Sequence, residues 1–180
     1  MIETEKKYRL HHSSREGILA RLKEFGAEDE GSEFEENIIY GGGILDEKNA
    51  ILRVRKTGSR STLTYKRRLA GQSGYKEQLE YESEFSDVGA LCEILYAIGF
   101  KPRLIYEKKR HTWKFRSVEV VLDELPFGDY MEIEGSITGI REAEMLLDAQ
   151  DLEPELETYP RLTAKMGSIV NGVMESRFEK

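Results

Sequence analysis

Charged side chains recur in this chain as short pairs spaced two residues apart. Because successive side chains of a β-strand point to opposite faces, residues i and i+2 share a face. The acidic residues with this spacing are Glu3/Glu5, Glu80/Glu82 and Glu132/Glu134, and Asp123 ends another strand-like segment. Carboxylate oxygens are the ligands that Mg²⁺ and Mn²⁺ prefer, so these faces are candidate metal sites.

Basic side chains follow the same spacing in other segments. They are Lys7, Arg53, Arg55, Lys66, Lys108 and Arg110. Arginine can bind a phosphate through two parallel hydrogen bonds, and lysine binds it as a point charge. A ligand that needs both the acidic and the basic set is a polyphosphate carried with a divalent metal ion. Phosphoryl transfer needs these components, because it depends on charge neutralisation, positioning and metal activation.

Each segment taken alone has a simpler interpretation. Alternating apolar and charged residues are typical of a strand with one face on the core and the other in water. Two observations favour a charged interior instead: the charges form acid pairs and base pairs, and amphipathic helices are available to cover the apolar faces. If the strands curl into a barrel with helices outside, the charged faces point into its lumen. Buried charges then need ion pairs, water, metal ions or an anionic ligand.

Periodicity and turn residues divide the chain into elements that would position these side chains. The predicted strands are 2–10, 34–40, 50–56, 62–69, 75–85, 103–115, 117–124 and 129–135. The predicted helices are 14–26, 87–98 and 140–150, followed by a helical stretch that contains Ile169, Val170, Val173 and Met174. Short connections, among them the glycine-containing turn at 71–74, favour an antiparallel sheet.

Composition limits the function classes. The 180 residues carry a net charge of −7, which argues against general binding to nucleic acid or anionic membranes. Cys92 is the only cysteine, so an intrachain disulfide and a cysteine-based zinc site are excluded. We expect one domain over 1–180, with the barrel at 1–135 and a helical segment at 138–180. The sequence lacks a signal peptide and a membrane-length apolar run, so the cytoplasm is the expected location. A homodimer is compatible with the sequence but not required by it.

With these residues in this order, the sequence resembles the CYTH superfamily, also called triphosphate tunnel metalloenzymes. That family unites class IV adenylyl cyclases, thiamine triphosphatases and inorganic triphosphatases. Its N-terminal Glu-x-Glu-x-Lys signature is matched by Glu3, Glu5 and Lys7. Further matches follow in order at 52–55, Lys66, 108–113, 122–134 and 158–162.

The resemblance implies an α+β fold in which eight antiparallel strands form a β-barrel, a triphosphate tunnel with a charged lumen and helices packed outside. It implies metal ligation by Glu3, Glu5, Glu132 and Glu134, assisted by Asp123 and by one or both of Glu80 and Glu82. It implies phosphate binding by Lys7, Arg53, Arg55, Lys66, Lys108 and Arg110. We assign Glu5, Lys66 and Glu134 to the catalytic step. The register of the Glu80/Glu82 strand stays open, because a shift would bring Glu77 into the lumen.

The function expected from the residues and the resemblance is that of a Mg²⁺- or Mn²⁺-dependent enzyme acting on a small triphosphate. The substrate is inorganic triphosphate, thiamine triphosphate or a nucleoside triphosphate. Hydrolysis is slightly favoured because it needs no pocket for a base. The alternative is a class IV adenylyl cyclase, in which the ribose 3′-hydroxyl of ATP attacks the α-phosphate to give cyclic AMP and pyrophosphate. A non-catalytic binder of polyphosphate or nucleotide is the alternative from a different class.

Overall fold

The computed structural model describes residues 2–58, 60–69 and 76–179 of the chain. The turn expected at 71–74 lies outside these residues. The strands are β1 (Ile2–Leu10), β2 (Glu28–Gly41), β3 (Ala50–Lys56), β4 (Ser61–Arg68), β5 (Lys76–Glu84), β6 (Lys101–Phe115), β7 (Val118–Leu125), β8 (Gly128–Glu134), β9 (Ser168–Val170) and β10 (Val173–Ser176). The helices are α1 (His12–Glu24), α2 (Ile44–Glu47), α3 (Val88–Ala97), α4 (Ile137–Leu146) and α5 (Tyr159–Met166).

Strands β1 to β8 close into a ring. Their order is β2-β3-β4-β5-β1-β8-β7-β6, and the long β6 returns to pair with β2. Each pairing within the ring is antiparallel. The predicted α+β fold, an eight-stranded antiparallel barrel with helices outside, is therefore confirmed.

The apolar faces of the strands point outward and are covered by helices. On β7, the buried side chains of Val118, Val120 and Leu122 belong to one cluster with Ile18 and Leu22 of α1. Helix α4 adds Ile140, Ala143 and Leu147 to the same cluster. Burial of such side chains is the main favourable contribution to folding, and here it leaves the opposite strand faces, with their charges, inside the ring.

Helix α3 covers another part of the exterior. Its N-terminus is capped by Asp87, whose carboxylate accepts a 2.9 Å hydrogen bond from the amide of Ala90, and Gly99 follows its end with φ of +94°. Leu95 of this helix packs against Ile38 and Val54 of β2 and β3. The sequence-predicted helix at 87–98 is thus confirmed to within a residue at each end.

The predicted helical stretch after Gly167 is wrong. Ile169 and Val170 lie in β9, and Val173 and Met174 lie in β10, which pairs in parallel with β6. Asn171 and Gly172 join the two strands, and both have positive φ, of 50° and 82°. An Asn-Gly pair between β-branched residues is a strong hairpin signal. Here the turn residues determine the local structure, although the spacing of the apolar residues is compatible with a helix. Of the predicted segment at 138–180, only parts are helical.

None of the helices in the described part of the chain has the length and apolar character needed to cross a membrane.

Candidate active site within the strand ring

The inner faces of the eight strands enclose a cavity of about 1120 Å³. The predicted site residues line it, apart from Asp123. The cavity wall holds Glu3, Glu5, Lys7, Arg53, Arg55, Lys66, Glu80, Glu82, Lys108, Arg110, Glu132 and Glu134. The side chain of Asp123 is fully buried and contacts Arg110. Gln78 lines the cavity on β5 and Glu77 does not, so the unshifted register is the one observed.

Three carboxylates converge at one point of the wall. Glu5, Glu132 and Glu134 each place an oxygen within 4.8 Å of the others, because Glu5 pairs directly with Glu134 across β1 and β8. Burial raises the pKa of Glu134 to about 7, and the negative charges of Glu132 and Glu5 add to this shift. The ionised form of Glu134 is therefore disfavoured at this position.

The other predicted metal ligands are engaged with protein groups. Glu80 pairs with Lys66 on the neighbouring strand, and Glu82 accepts a 2.6 Å hydrogen bond from the Thr64 hydroxyl. Burial and the neighbouring Glu80 carboxylate raise the pKa of Glu3. Metal ligation by Glu3, Glu80, Glu82 and Asp123 stays a prediction.

The two arginines of β3 present unused donors to the cavity. Arg53 is buried, and its Nη2 lies 3.2 Å from the Thr64 hydroxyl and 3.5 Å from Glu82. Within the described residues, the buried Nε atoms of Arg53 and Arg55 have no hydrogen-bond partner. Buried donors are normally satisfied, so these two atoms of cavity-lining residues are candidate donors to a ligand with acceptor oxygens.

Lys7 connects the acidic cluster to the C-terminal part of the chain. Its Nζ lies 3.1 Å from Glu132, 3.2 Å from the Glu157 carbonyl oxygen and 3.6 Å above the ring of Tyr159. Burial lowers the pKa of Lys7, but Glu132 and Glu5 outweigh it and raise the pKa overall. Lys7 thus stays protonated beside the cluster.

The arrangement around Arg110 joins the acidic and basic parts of the wall. Arg110 donates to both oxygens of Asp123, at 2.8 and 2.7 Å, and to Glu132 at 2.7 Å. Asp123 also contacts Lys108 at 3.3 Å and accepts a 2.8 Å hydrogen bond from the Tyr159 hydroxyl. Asp123 therefore holds two predicted phosphate ligands in place from behind.

Sequence reasoning missed Lys76 and Glu35, two ionisable residues whose side chains contact residues of the cavity wall. Lys76 lies 3.4 Å from Glu5, and burial together with Lys7 lowers its pKa to about 8. Glu35 is fully buried on β2, a strand that begins at Glu28, six residues before the predicted start at residue 34. The available signal was again the i, i+2 spacing, which puts Lys76 on the face of Glu80 and Glu35 on the face of Asn37.

The donor set fits a divalent cation. Mg²⁺ takes oxygen ligands at about 2.1 Å, so carboxylate oxygens this close together can share one ion after small side-chain movements. A cation would also stabilise the ionised form of Glu134, whose pKa is raised by burial and by the neighbouring carboxylates. Glu5, Glu132 and Glu134 are the residues that would hold it.

A closed ring of eight antiparallel strands with acidic and basic walls around one cavity defines a tunnel-type protein with a charged lumen. The CYTH domain family model matches residues 1–159, and the chain belongs to this family. It has no significant match among curated proteins.

Several solved structures share this fold. The PH1012 protein of Pyrococcus horikoshii OT3 is 26% identical, with a TM-score of 0.77 over 89% of this chain and 98% of that one. An adenylate cyclase candidate of Vibrio parahaemolyticus is 18% identical, with a TM-score of 0.71 over 91% and 98%. HpAC1 of Hippeastrum, an adenylyl cyclase candidate described as having a dominant triphosphatase activity, is 18% identical, with a TM-score of 0.67 over 95% and 98%.

Proposed function

We propose that this protein is a divalent-metal-dependent phosphohydrolase that acts on a small triphosphate inside the strand ring. The observation that carries the proposal is the shared position of Glu132. Its carboxylate belongs to the convergent acidic cluster and also contacts Lys7 at 3.1 Å and Arg110 at 2.7 Å. A metal ion bound by the acidic cluster and a phosphate group bound by Lys7 and Arg110 would contact each other, as phosphoryl transfer requires.

The basic residues bind and orient the phosphate chain. Arg53 and Arg55 offer the Nε donors that lack partners among the described residues. Lys7, Lys108 and Arg110 are held by carboxylates behind them, so their positions are fixed before substrate arrives. A preorganised set of donors costs little reorganisation when charge develops in the transition state.

Glu5, Glu132 and Glu134 would hold the cation, and Mg²⁺ or Mn²⁺ bound there supplies charge neutralisation and an acidified water. Lys66 pairs with Glu80 and is almost buried, and burial and Arg53 lower its pKa. We assign it to neutralise a terminal phosphate oxygen, since an ammonium near another cation gains from an incoming anion. Lys66 therefore acts together with Glu5 and Glu134 in the catalytic step.

Hydrolysis is preferred to cyclisation for this site. The residues above bind phosphates and a cation, and hydrolysis requires nothing more than a water in addition. The fold likeness to HpAC1, described as having a dominant triphosphatase activity, is compatible with this choice. A cyclase would have to orient the ribose 3′-hydroxyl of ATP against its own α-phosphate.

Product analysis tests the proposal. Purified protein is incubated with inorganic triphosphate, thiamine triphosphate or ATP in the presence of Mg²⁺ or Mn²⁺, and products are separated by chromatography. The proposal expects orthophosphate from at least one of these substrates. Formation of cyclic AMP and pyrophosphate from ATP would show that the protein is an adenylyl cyclase instead. Binding of a triphosphate without any turnover would show that it is a non-catalytic binder.

A further inference from the structure

Glu35 is a buried anion placed among cations that the proposed function uses to bind phosphate. Its side chain is fully buried in β2. Lys108 Nζ lies 3.4 Å from its carboxylate, Arg55 Nε 3.8 Å and Arg110 Nε 4.0 Å. Asn37 donates a 3.1 Å hydrogen bond to it from the same strand.

Glu35 carries a negative charge in this setting. Burial alone raises the pKa of Glu35, but Lys108, Arg110 and Arg55 hold that pKa well below its usual range. Together with Asp123, Glu35 offsets two of the three positive charges on these cations. An incoming phosphate chain therefore meets a smaller net positive charge than the cations alone would provide.

The contacts of Glu35 differ from those of Asp123. Asp123 fixes Arg110 through hydrogen bonds of 2.8 and 2.7 Å, whereas Glu35 reaches the cations only at 3.4 Å or more. Within the described residues, Glu35 Oε1 and Arg55 Nε are buried and make no hydrogen bond. Glu35 therefore leaves the Nε donor of Arg55 unused. Geometry is set by Asp123, and Glu35 contributes mainly charge.

We infer that Glu35 is a resident counter-anion of the phosphate site, which touches no substrate and acts through Arg55, Lys108 and Arg110 to weaken the hold on phosphate so that product can leave. The inference rests on the proposed function, since it presumes that these cations bind a triphosphate. It concerns the strength of binding and the release of product, not the chemistry of hydrolysis. Removing this negative charge should tighten the binding of anions, because it lies about 4 Å from three cations.

The test measures the affinity for inorganic triphosphate by calorimetry in EDTA, near neutral pH, for the wild type and Glu35→Gln. The inference expects Glu35→Gln to bind about tenfold more tightly, with KM lowered and kcat also lowered because orthophosphate leaves more slowly. A merely structural role of Glu35 would weaken binding instead. Glu36→Gln is the matched control, since Glu36 pairs with Lys56 and Arg177 and does not line the cavity.

A second variant covers the case in which Glu35→Gln does not fold. Glu35→Asp keeps a carboxylate in the site but draws it back from the three cations by one methylene, so it should tighten the binding of inorganic triphosphate in the same direction as Glu35→Gln. Unchanged or weaker binding in folded Glu35→Gln would overturn the inference, as would unchanged or weaker binding in Glu35→Asp. If the wild type itself binds no triphosphate, the proposed function fails first, and the two failures are thereby separated.

Discussion

Arg110 binds the carboxylate of Asp123 through two hydrogen bonds, from Nε to Oδ1 at 2.8 Å and from Nη2 to Oδ2 at 2.7 Å. The same guanidinium reaches Glu132 at 2.7 Å, so one side chain connects a fully buried carboxylate to the acidic cluster. Bidentate pairs of this kind fix the plane of the arginine as well as its position. The wall on which phosphate would bind is therefore held from behind by β7.

Asp123→Asn is expected to weaken phosphate binding. The amide keeps the volume but has only one acceptor oxygen, so it cannot hold the Arg110 guanidinium through two hydrogen bonds while also positioning Lys108. We expect the affinity for inorganic triphosphate in EDTA to fall by about tenfold, opposite in sign to Glu35→Gln. Calorimetry measures it, and tighter binding in Asp123→Asn would contradict the division of roles between the two carboxylates.

Glu5→Gln is expected to lose metal-dependent turnover while retaining triphosphate binding. Glu5 belongs to the convergent carboxylates, and an amide is a poorer ligand for a hard cation. The affinity for Mn²⁺ should fall by at least about tenfold, measured by calorimetry, with phosphate release falling alongside it. Glu16→Gln, on the exposed surface of α1, is the control. Unchanged Mn²⁺ affinity in Glu5→Gln would remove this residue from the cation site.

Arg53→Ala is expected to weaken the binding of triphosphate itself. The substitution removes the guanidinium of a buried residue of the cavity wall, whose Nε has no hydrogen-bond partner among the described residues. A charge-assisted contact to phosphate is worth about 2 kcal/mol, which corresponds to roughly thirtyfold in affinity. Arg21→Ala, which removes an arginine of α1 paired with Asp148 outside the ring, should leave the affinity unchanged. Equal affinities of wild type and Arg53→Ala would exclude Arg53 from the phosphate site.

In the metal-free protein, the contribution of Glu134 to the free energy of unfolding is expected to fall as pH rises from about 4.5 to about 7. The pKa of Glu134 is raised to about 7 in the folded protein, so in this range the folded state binds more protons than the unfolded state. The contribution is therefore favourable at low pH and is lost as pH passes through the folded-state value. Glu134→Gln lacks this dependence.

Urea unfolding in EDTA of wild type and Glu134→Gln, at several pH values, measures the effect. The free energy of unfolding of the wild type relative to the variant should fall with rising pH, by up to about 3 kcal/mol. Added Mn²⁺ should restore wild-type stability at the upper end of the range, because it binds the ionised folded state. A difference between the two proteins that does not change with pH would contradict the burial and crowding of this carboxylate.

The charged faces of the strands were predictable from sequence because a period of two is unambiguous over seven or more residues. Glu3, Glu5 and Lys7 on β1, and Glu132 and Glu134 on β8, line the cavity as expected. What the spacing does not contain is the pairing of strands across the ring. The contact of Lys7 with Glu132 depends on the β1–β8 register, which sets residues 125 positions apart side by side.

Glu35 and the final hairpin show where local patterns fail. Glu35 lies in a segment with five other acidic residues between 28 and 36, so its spacing resembles that of a solvated strand, and only ring closure onto β6 buries it. In the hairpin, the apolar residues of β9 and β10 also fit a helical stripe. The backbone at Asn171 and Gly172, with positive φ at both, excludes a continuous helix there.

Restoring metal to metal-free protein tests most directly the claim that the ring binds a cation and a triphosphate together. Protein stripped with EDTA is given inorganic triphosphate, and orthophosphate release is followed before and after an excess of Mn²⁺ is added. The account predicts no release before the addition and sustained release after it, with loss of that release in Glu132→Gln. Release that proceeds equally in EDTA, or that Glu132→Gln retains in full, would contradict it.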